Sequence, residues 1–387
     1  MKNWLYGALA LIIVAALAFF ALAPGIAERS MNKVAPVALN ITPRARALHT
    51  TLQVADMHAD TLLWNRDLLA RSTRGQVDLP RLQQGNVALQ VFSSVTKTPK
   101  GQNYDANSAN SDNITMLAIA QLQPVRTWNS LLQRSLWHAI KLNRAASASN
   151  GQFRVIRTAA ELEALLAARA NGQKIVGGML SIEGLQDLEG KLANLDTLYA
   201  AGFRMAGMAH FFDNEVAGSM HGEAKAGLTP LGRQVIARME RIGMIVDIAH
   251  ASHATVAEIL RVATRPVVAS HGGVQATCAV NRNLTDAEIK GVAATGGVVG
   301  IGYWDAAICG TDPAKVAAAI AHVRDVAGID HVGLGSDFDG AVTTGFDTSQ
   351  LAVVTQALLD RGFSDADIAK VMGGNVLRVI RTGIVPR

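Results

Sequence analysis

Cysteine is almost absent: Cys278 and Cys309 are the only two in 387 residues. At most one disulfide can form, and the spacing does not decide whether it does. Cys278 by itself reads as a packed thiol. Charged residues are also scarce at 17% and aromatics at 5%. Lysines and arginines are scattered without a basic-aromatic stripe. The formal charge of +5 and pI near 9.3 therefore give no argument for a nucleic-acid partner. The densest basic stretch, Arg126 to Arg157, reads as the solvated face of a helix. No Gly-rich dinucleotide fingerprint follows the first strand-like run, which counts against an open nucleotide-binding sheet. No short-period repeat is visible.

What the chain has is apolar sequence, 49% of residues. The first such run, Trp4 to Ala23, carries no charge; Lys2 precedes it and Glu28-Arg29 follow. It is long enough to cross a bilayer as a helix. Ala21-Leu22-Ala23 also resembles a small-x-small cleavage site, but the run exceeds a typical signal core, which favours an uncleaved anchor. Lys2 and the amino group favour a cytoplasmic start, although Arg29 and Lys33 blunt the asymmetry. The remainder is then expected outside the cytoplasm, periplasmic or extracytoplasmic. Residues 1–28 are read as anchor or signal segment, 29–44 as linker, and 45–387 as one folded domain.

From Leu52 onward, strand-like runs alternate with helix-like segments. The strand candidates are 52–55, 87–92, 175–182, 204–208, 244–248, 266–269, 297–301 and 331–335. Thr158 with Glu161 three residues later predicts a capped helix over 158–170. Thr229-Pro230 predicts a helix start closing at Gly243, and Ser364 or Asp365 a last helix running toward Val371. Eight strands separated by helices predict an α/β fold, a (β/α)8 TIM-like barrel behind an N-terminal membrane-spanning helix. Residues 97–113, rich in Asn, Ser and Gly, read as a long surface loop near its mouth.

The apolar runs end in metal-type side chains: Asp56-Met57-His58-Ala59-Asp60, Glu183, His210, His250 and His271. In extended chain His58 and Asp60 share a face and can reach one cation, pairing a neutral nitrogen with a hard oxygen. His250 and His271 are 21 residues apart, the length of a loop, a short helix and the next strand. Successive strands would present both imidazoles at one rim. A carboxylate at Glu183 has two oxygens and can bridge two cations. Asp337 ends a strand-like run whose extended-phase neighbours are Gly333 and Gly335; Asp339 is its rival. Arg282 can clamp a substrate carboxylate. His49, His138, His221, His253, His322 and His331 read as surface or supporting residues. Asp56 and Asp247 read as carboxylates that orient ligands.

These motifs, together with Ser270-His271, Cys278-Ala279-Val280-Asn281-Arg282-Asn283, Gly335-Ser336-Asp337-Phe338-Asp339-Gly340 and Gly373-Gly374-Asn375-Val376-Leu377-Arg378, resemble the membrane (renal-type) dipeptidases over about 52–378. That family consists of zinc peptidases on amidohydrolase-like barrels. The resemblance implies two Zn2+ per chain, one held by His58 and Asp60, the other by His250 and His271, with Glu183 bridging. It implies that His210 holds the scissile carbonyl or its oxyanion, that Arg282 grips the dipeptide's carboxylate, and that Asp337 transfers the proton. A hydroxide shared by the metals would attack the peptide bond. A homodimer is common in the family. The stretch around His210, Met208 to Asn214, is more similar to bacterial members than to animal ones. Animal members hold the membrane by a carboxyl-terminal lipid anchor, whereas this chain stops at Arg387 without a hydrophobic tail. Two rival readings remain. A deaminase or lactonase of the wider superfamily would more often open with His-x-His, and a non-catalytic binding protein would usually have lost ligands.

Overall fold

Eight parallel strands follow one another around a ring, each hydrogen-bonded to the next in chain order. The computed structural model describes residues 2–35 and 37–385; the outermost expected bounds, 1 and 387, lie outside them. The strands are β1 (Val54–Ala59), β2 (Val87–Val95), β3 (Val176–Glu183), β4 (Phe203–Gly207), β5 (Ile245–Asp247), β6 (Val268–Ala269), β7 (Val298–Ile301) and β8 (Val332–Leu334). Leu334 of β8 pairs with Asp56 of β1 and closes the barrel. Every residue of these strands is buried, which is why they read as nearly continuous apolar runs instead of alternating ones.

All eight expected strands are present, with ends shifted by a few residues. A ninth, Phe153–Val155, was not expected. It pairs with the first residues of β3, while β4 pairs with the later ones, so it supplements the ring without entering it. Three residues after the Asn150-Gly151 turn give too short a pattern to be read as a strand.

The helix starts behave as their caps require. Thr158 and Glu161 form a reciprocal capping box on Ala159–Ala170, and Thr229 caps Pro230–Ile242, which ends at left-handed Gly243. Ser364 caps Asp365–Ala369, but the chain does not stop near Val371. It passes through a wide turn at Lys370–Gly374 into Asn375–Gly383. Val376, Val379 and Ile380 of that helix pack with Met57, Met179 and Met205 of the strands.

Two expectations need correction. The basic stretch does form a helix, Leu131–Ala148, but its cations are not all solvated. Arg134 is 2% exposed and donates to the Thr96 and Thr127 carbonyls and to Asp112, tying down the 97–113 loop. Lys141 donates to the Leu62 and Trp64 carbonyls. A guanidinium with that many carbonyl partners is cheaper to bury than sequence alone suggests. Cys278 is not a thiol: it is joined to Cys309, linking the segments that follow β6 and β7.

The N-terminal helix α1 (Lys2–Met31) is long and apolar enough to cross a membrane. It does not end in a free linker. Glu28 is buried against Arg66 and Arg74, and Lys33–Val34 pair in parallel with Thr343–Thr344 beyond β8.

Gly373 marks where the wide turn meets the barrel: a Cβ there would lie 1.9 Å from the Gln53 carbonyl oxygen. Backbone cannot yield cheaply, so Gly373→Ala is expected to destabilise by about 1–3 kcal/mol. Chemical unfolding checks this; an unchanged midpoint would contradict the close approach.

Candidate metal centre

The polar side chains gather at one end of the ring because each sits at or just past the carboxyl end of a strand. His58 lies in β1 and Asp60 directly after it. Glu183 is the last residue of β3, His210 follows β4, His250 follows β5, His271 follows β6 and Asp337 follows β8. At this rim parallel strands release their chains into loops, and barrel enzymes place reactive groups there. His250 and Asp337 have φ of 63° and 59°. Such left-handed backbone costs a non-glycine residue about 1–3 kcal/mol and concentrates at functional sites.

Glu183 is the hub. Its Oε1 lies 3.0 Å from His250 Nε2 and 3.3 Å from both His271 Nε2 and His210 Nε2. Its Oε2 faces the other way, 3.6 Å from His58 Nε2, which in turn is 3.4 Å from Asp60 and 3.9 Å from Asp337. Three groups of donors are close enough to surround a cation: His58 with Glu183 and His271, Glu183 with His210 and His250, and His58 with Asp60 and Asp337. All seven expected residues thus come together. Arg282 joins them, buried, with one nitrogen 3.1 Å from His250 Nε2 and another donating to the His271 carbonyl.

The donor chemistry suits a divalent ion of the zinc type, since imidazole and carboxylate are mixed. His58 Nε2, Asp60 Oδ1 and Glu183 Oε2 are buried without a hydrogen-bond partner among the described residues. A buried polar atom costs free energy unless something satisfies it, and converging donors of this kind are what a metal needs.

The electrostatics point the same way. Burial and the negative charge of Asp60 push the Glu183 carboxyl up to about 7. Burial also drives Asp337 well above the ordinary carboxylate range; His58 opposes this, and Asp60 and Glu183 add to it. Burial works against protonation of His58, yet Asp60 and Glu183 outweigh it and hold that imidazole well above its usual value. Desolvation and Arg282 keep His250 well below, so it presents a neutral ring. A cation among these groups would reverse the repulsion between the carboxylates.

Supporting contacts explain the neighbours. Asp56 accepts from the His58 amide, Gln90 and Ser336. Asp247 accepts from Ser270 Oγ, which lies 2.9 Å from His271 Nδ1, so the carboxylate orients the ring through a hydroxyl. Ser270 and Ser336 stand in the motifs quoted from the sequence but were given no role there, since a serine beside a ligand-type residue gives no signal by itself. Asp339, the rival of Asp337, is held by Arg66, Thr61 and the Gln76 amide and serves the loop. Three histidines expected at the surface or in support are buried. His49 bonds Thr355 and the Gly85 carbonyl, and His138 bonds Ser94. His221 stacks on Phe211 beside His250.

A cavity of about 730 Å³ opens above these groups, and Tyr104 and Gly101 of the 97–113 loop line it. A buried cluster of imidazoles and carboxylates on the rim of a closed parallel barrel defines a metal-dependent hydrolase of the TIM-barrel class. The profile of the membrane dipeptidases (peptidase family M19) matches residues 42–383, and the chain belongs to that family. A dipeptidase of Aspergillus oryzae is 30% identical over 392 residues, covering 96% of this chain and 86% of its own. The crystal structure of a metallopeptidase of family M19, a dipeptidase, is similar with a TM-score of 0.69 and 26% identity, over 86% of this chain and 99% of that one. A metallopeptidase from Rhodobacter sphaeroides, liganded with a phosphinate mimic of the dipeptide L-Ala-D-Ala, is similar with a TM-score of 0.68 and 25% identity over the same shares. The protein is a dipeptidase of the metal-dependent kind.

Ser270→Ala removes the link between Asp247 and His271 without touching a metal-type donor. Metal retention, followed by competition with a chelator, is expected to weaken about 10–100-fold. Undiminished retention would show that the hydroxyl does not orient the ring.

Proposed function

We propose that the protein is a binuclear zinc dipeptidase that acts on dipeptides with a free carboxyl terminus. In this reading His58 and Asp60 would hold one zinc, His250 and His271 would hold the other, and Glu183 would serve both. The observation that carries it is the division of labour at Glu183: one oxygen faces His58, the other His250 and His271, with His210 beside them. The chemistry that bound ions would supply is a lowered pKa of water, enough for a hydroxide nucleophile near neutral pH, and polarisation of the carbonyl.

The chain's own residues do the rest. Arg282 is a fixed fork that can take a carboxylate through two parallel hydrogen bonds, and the face of Trp304, 4.7 Å from its guanidinium, holds it flat. This is why a free carboxyl terminus is the natural handle. His210, a neutral ring whose pKa burial and the neighbouring His221 lower to about 3, is suited to donate a hydrogen bond to the carbonyl oxygen as charge builds on it. Asp337, beside His58, is suited to pass a proton to the leaving amine, the step at which amide cleavage most needs an acid. The phosphinate dipeptide mimic bound by the Rhodobacter sphaeroides relative supports the substrate class.

Localisation follows from α1 and the disulfide. An apolar helix of that length is long enough to anchor the protein, and a Cys278–Cys309 bond persists in an oxidising compartment. Together they favour a catalytic domain outside the cytoplasm.

Zinc-replete protein is expected to cleave dipeptides, and a chelator to abolish that activity until zinc is restored. Activity on lactones or aminated rings with none on dipeptides would overturn the assignment. Arg282→Ala is expected to lower kcat/KM for dipeptides about 10–100-fold while bound zinc, measured by elemental analysis, stays at the parent's level. Dipeptide turnover equal to the parent's would remove Arg282 from the clamp.

A further inference from the structure

The cavity above the metal-type cluster is not walled by the barrel alone. Phe19, Ala23, Pro24, Ala27 and Met31 of α1 line it together with Asp60, Glu183, His250, Arg282 and Asp337. The root of the membrane helix therefore forms part of the same chamber.

That wall is built in. Glu28, 1% exposed, pairs with Arg66, which also holds Asp339 in the loop that carries Asp337. Arg74 Nε lies 2.5 Å from the other Glu28 oxygen. Ala341 donates its amide to Asn32 Oδ1 at 2.8 Å, and Lys33 and Val34 continue as a strand beside Thr343 and Thr344. Buried ion pairs that share one guanidinium over-determine the position of the chain between them. A free leader or a detached stalk needs no such network.

The wall is also apolar, and its place in the ring gives it a direction. The α1 root faces Leu63 and Trp64 after β1, Ile114 and Leu117 after β2, and Val342 after β8. Those strands are neighbours in the ring, and β5 and β6 stand across from β1 and β2. His250 and Arg282 follow β5 and β6. A dipeptide gripped by its carboxylate at Arg282 thus extends its amino-terminal residue across the cluster toward the helix. About 730 Å³ lies in the range that accommodates drug-sized ligands, well beyond what two small residues fill.

We propose that the root of α1 is a specificity subsite, and that it takes a bulky apolar group carried by the amino-terminal residue of the substrate. This rests on the dipeptidase reading above and adds the substrate class. The group can be a side chain or an acyl chain, since either would bury apolar surface against Phe19, Ala23 and Met31.

The test uses the full-length zinc protein in detergent with three substrates: Gly-Ala, Phe-Ala and N-octanoyl-Gly-Ala. In the parent, kcat/KM for at least one of the bulky substrates is expected to exceed that for Gly-Ala by about tenfold or more. Which one does so identifies side chain or acyl chain as the occupant. Ala23→Trp fills the wall and is expected to reduce that preference to about threefold or less. Phe19→Ala changes a side chain that is 44% exposed, so folding is not at stake; it is expected to lower the preference by a smaller factor. No preference in the parent, or the same preference in both variants, would overturn the subsite while leaving dipeptide hydrolysis intact. Absence of turnover on all three substrates would overturn the dipeptidase reading and this inference with it.

Discussion

A single buried carboxylate organises the catalytic end of this protein. Glu183 ends β3 with both oxygens inside the molecule, within 3.6 Å of four imidazoles in all. An isolated carboxylate in that position would be expensive to keep charged. It is tolerable only because the barrel brings partners to it from β1, β4, β5 and β6. The geometry that burdens the apoprotein is the geometry a pair of cations would relieve. Metal binding and the folding of this rim are therefore one thermodynamic problem.

The strain and support around the rim follow from that constraint. Left-handed backbone at His250 and Asp337 turns their side chains inward where an ordinary strand end would release them. Asp56 and Asp247 accept backbone amides and serine hydroxyls from adjoining strands, so each holds two neighbouring strands in register while it aims a donor. Arg66 does similar work one layer out, joining the Asp339 loop to Glu28 of the apolar N-terminal helix. The N-terminal helix and the metal-type cluster are continuous through it.

Much of this was legible in the sequence, for definite reasons. Strands buried on both faces are long apolar runs, and a barrel puts their last residues at one rim. The position of Glu183, His250 and His271 at run ends thus carried both fold and site. Caps were legible at Thr158 and Thr229 because one residue pair sets each of them. What was not legible depends on partners distant in the chain. Arg134 looks solvent-facing until the loop carbonyls that receive it are in place. His221 reaches the site only because the long segment after β4 folds back. Cys278 finds Cys309 through the proximity of two loops that no spacing rule predicts. Nor does the sequence reveal that the apolar helix, read as an anchor followed by a slack linker, has its root packed into the chamber. Glu28 looks like an ordinary flanking charge until Arg66 and Arg74 close around it.

The central claim is that two cations share Glu183. Anomalous diffraction at the zinc edge from crystals grown with zinc measures this directly. Two peaks per chain are expected, one beside each Glu183 oxygen, the first contacted by His58 and Asp60 and the second by His250 and His271. A single peak, or two peaks of which neither touches Glu183, would contradict the account.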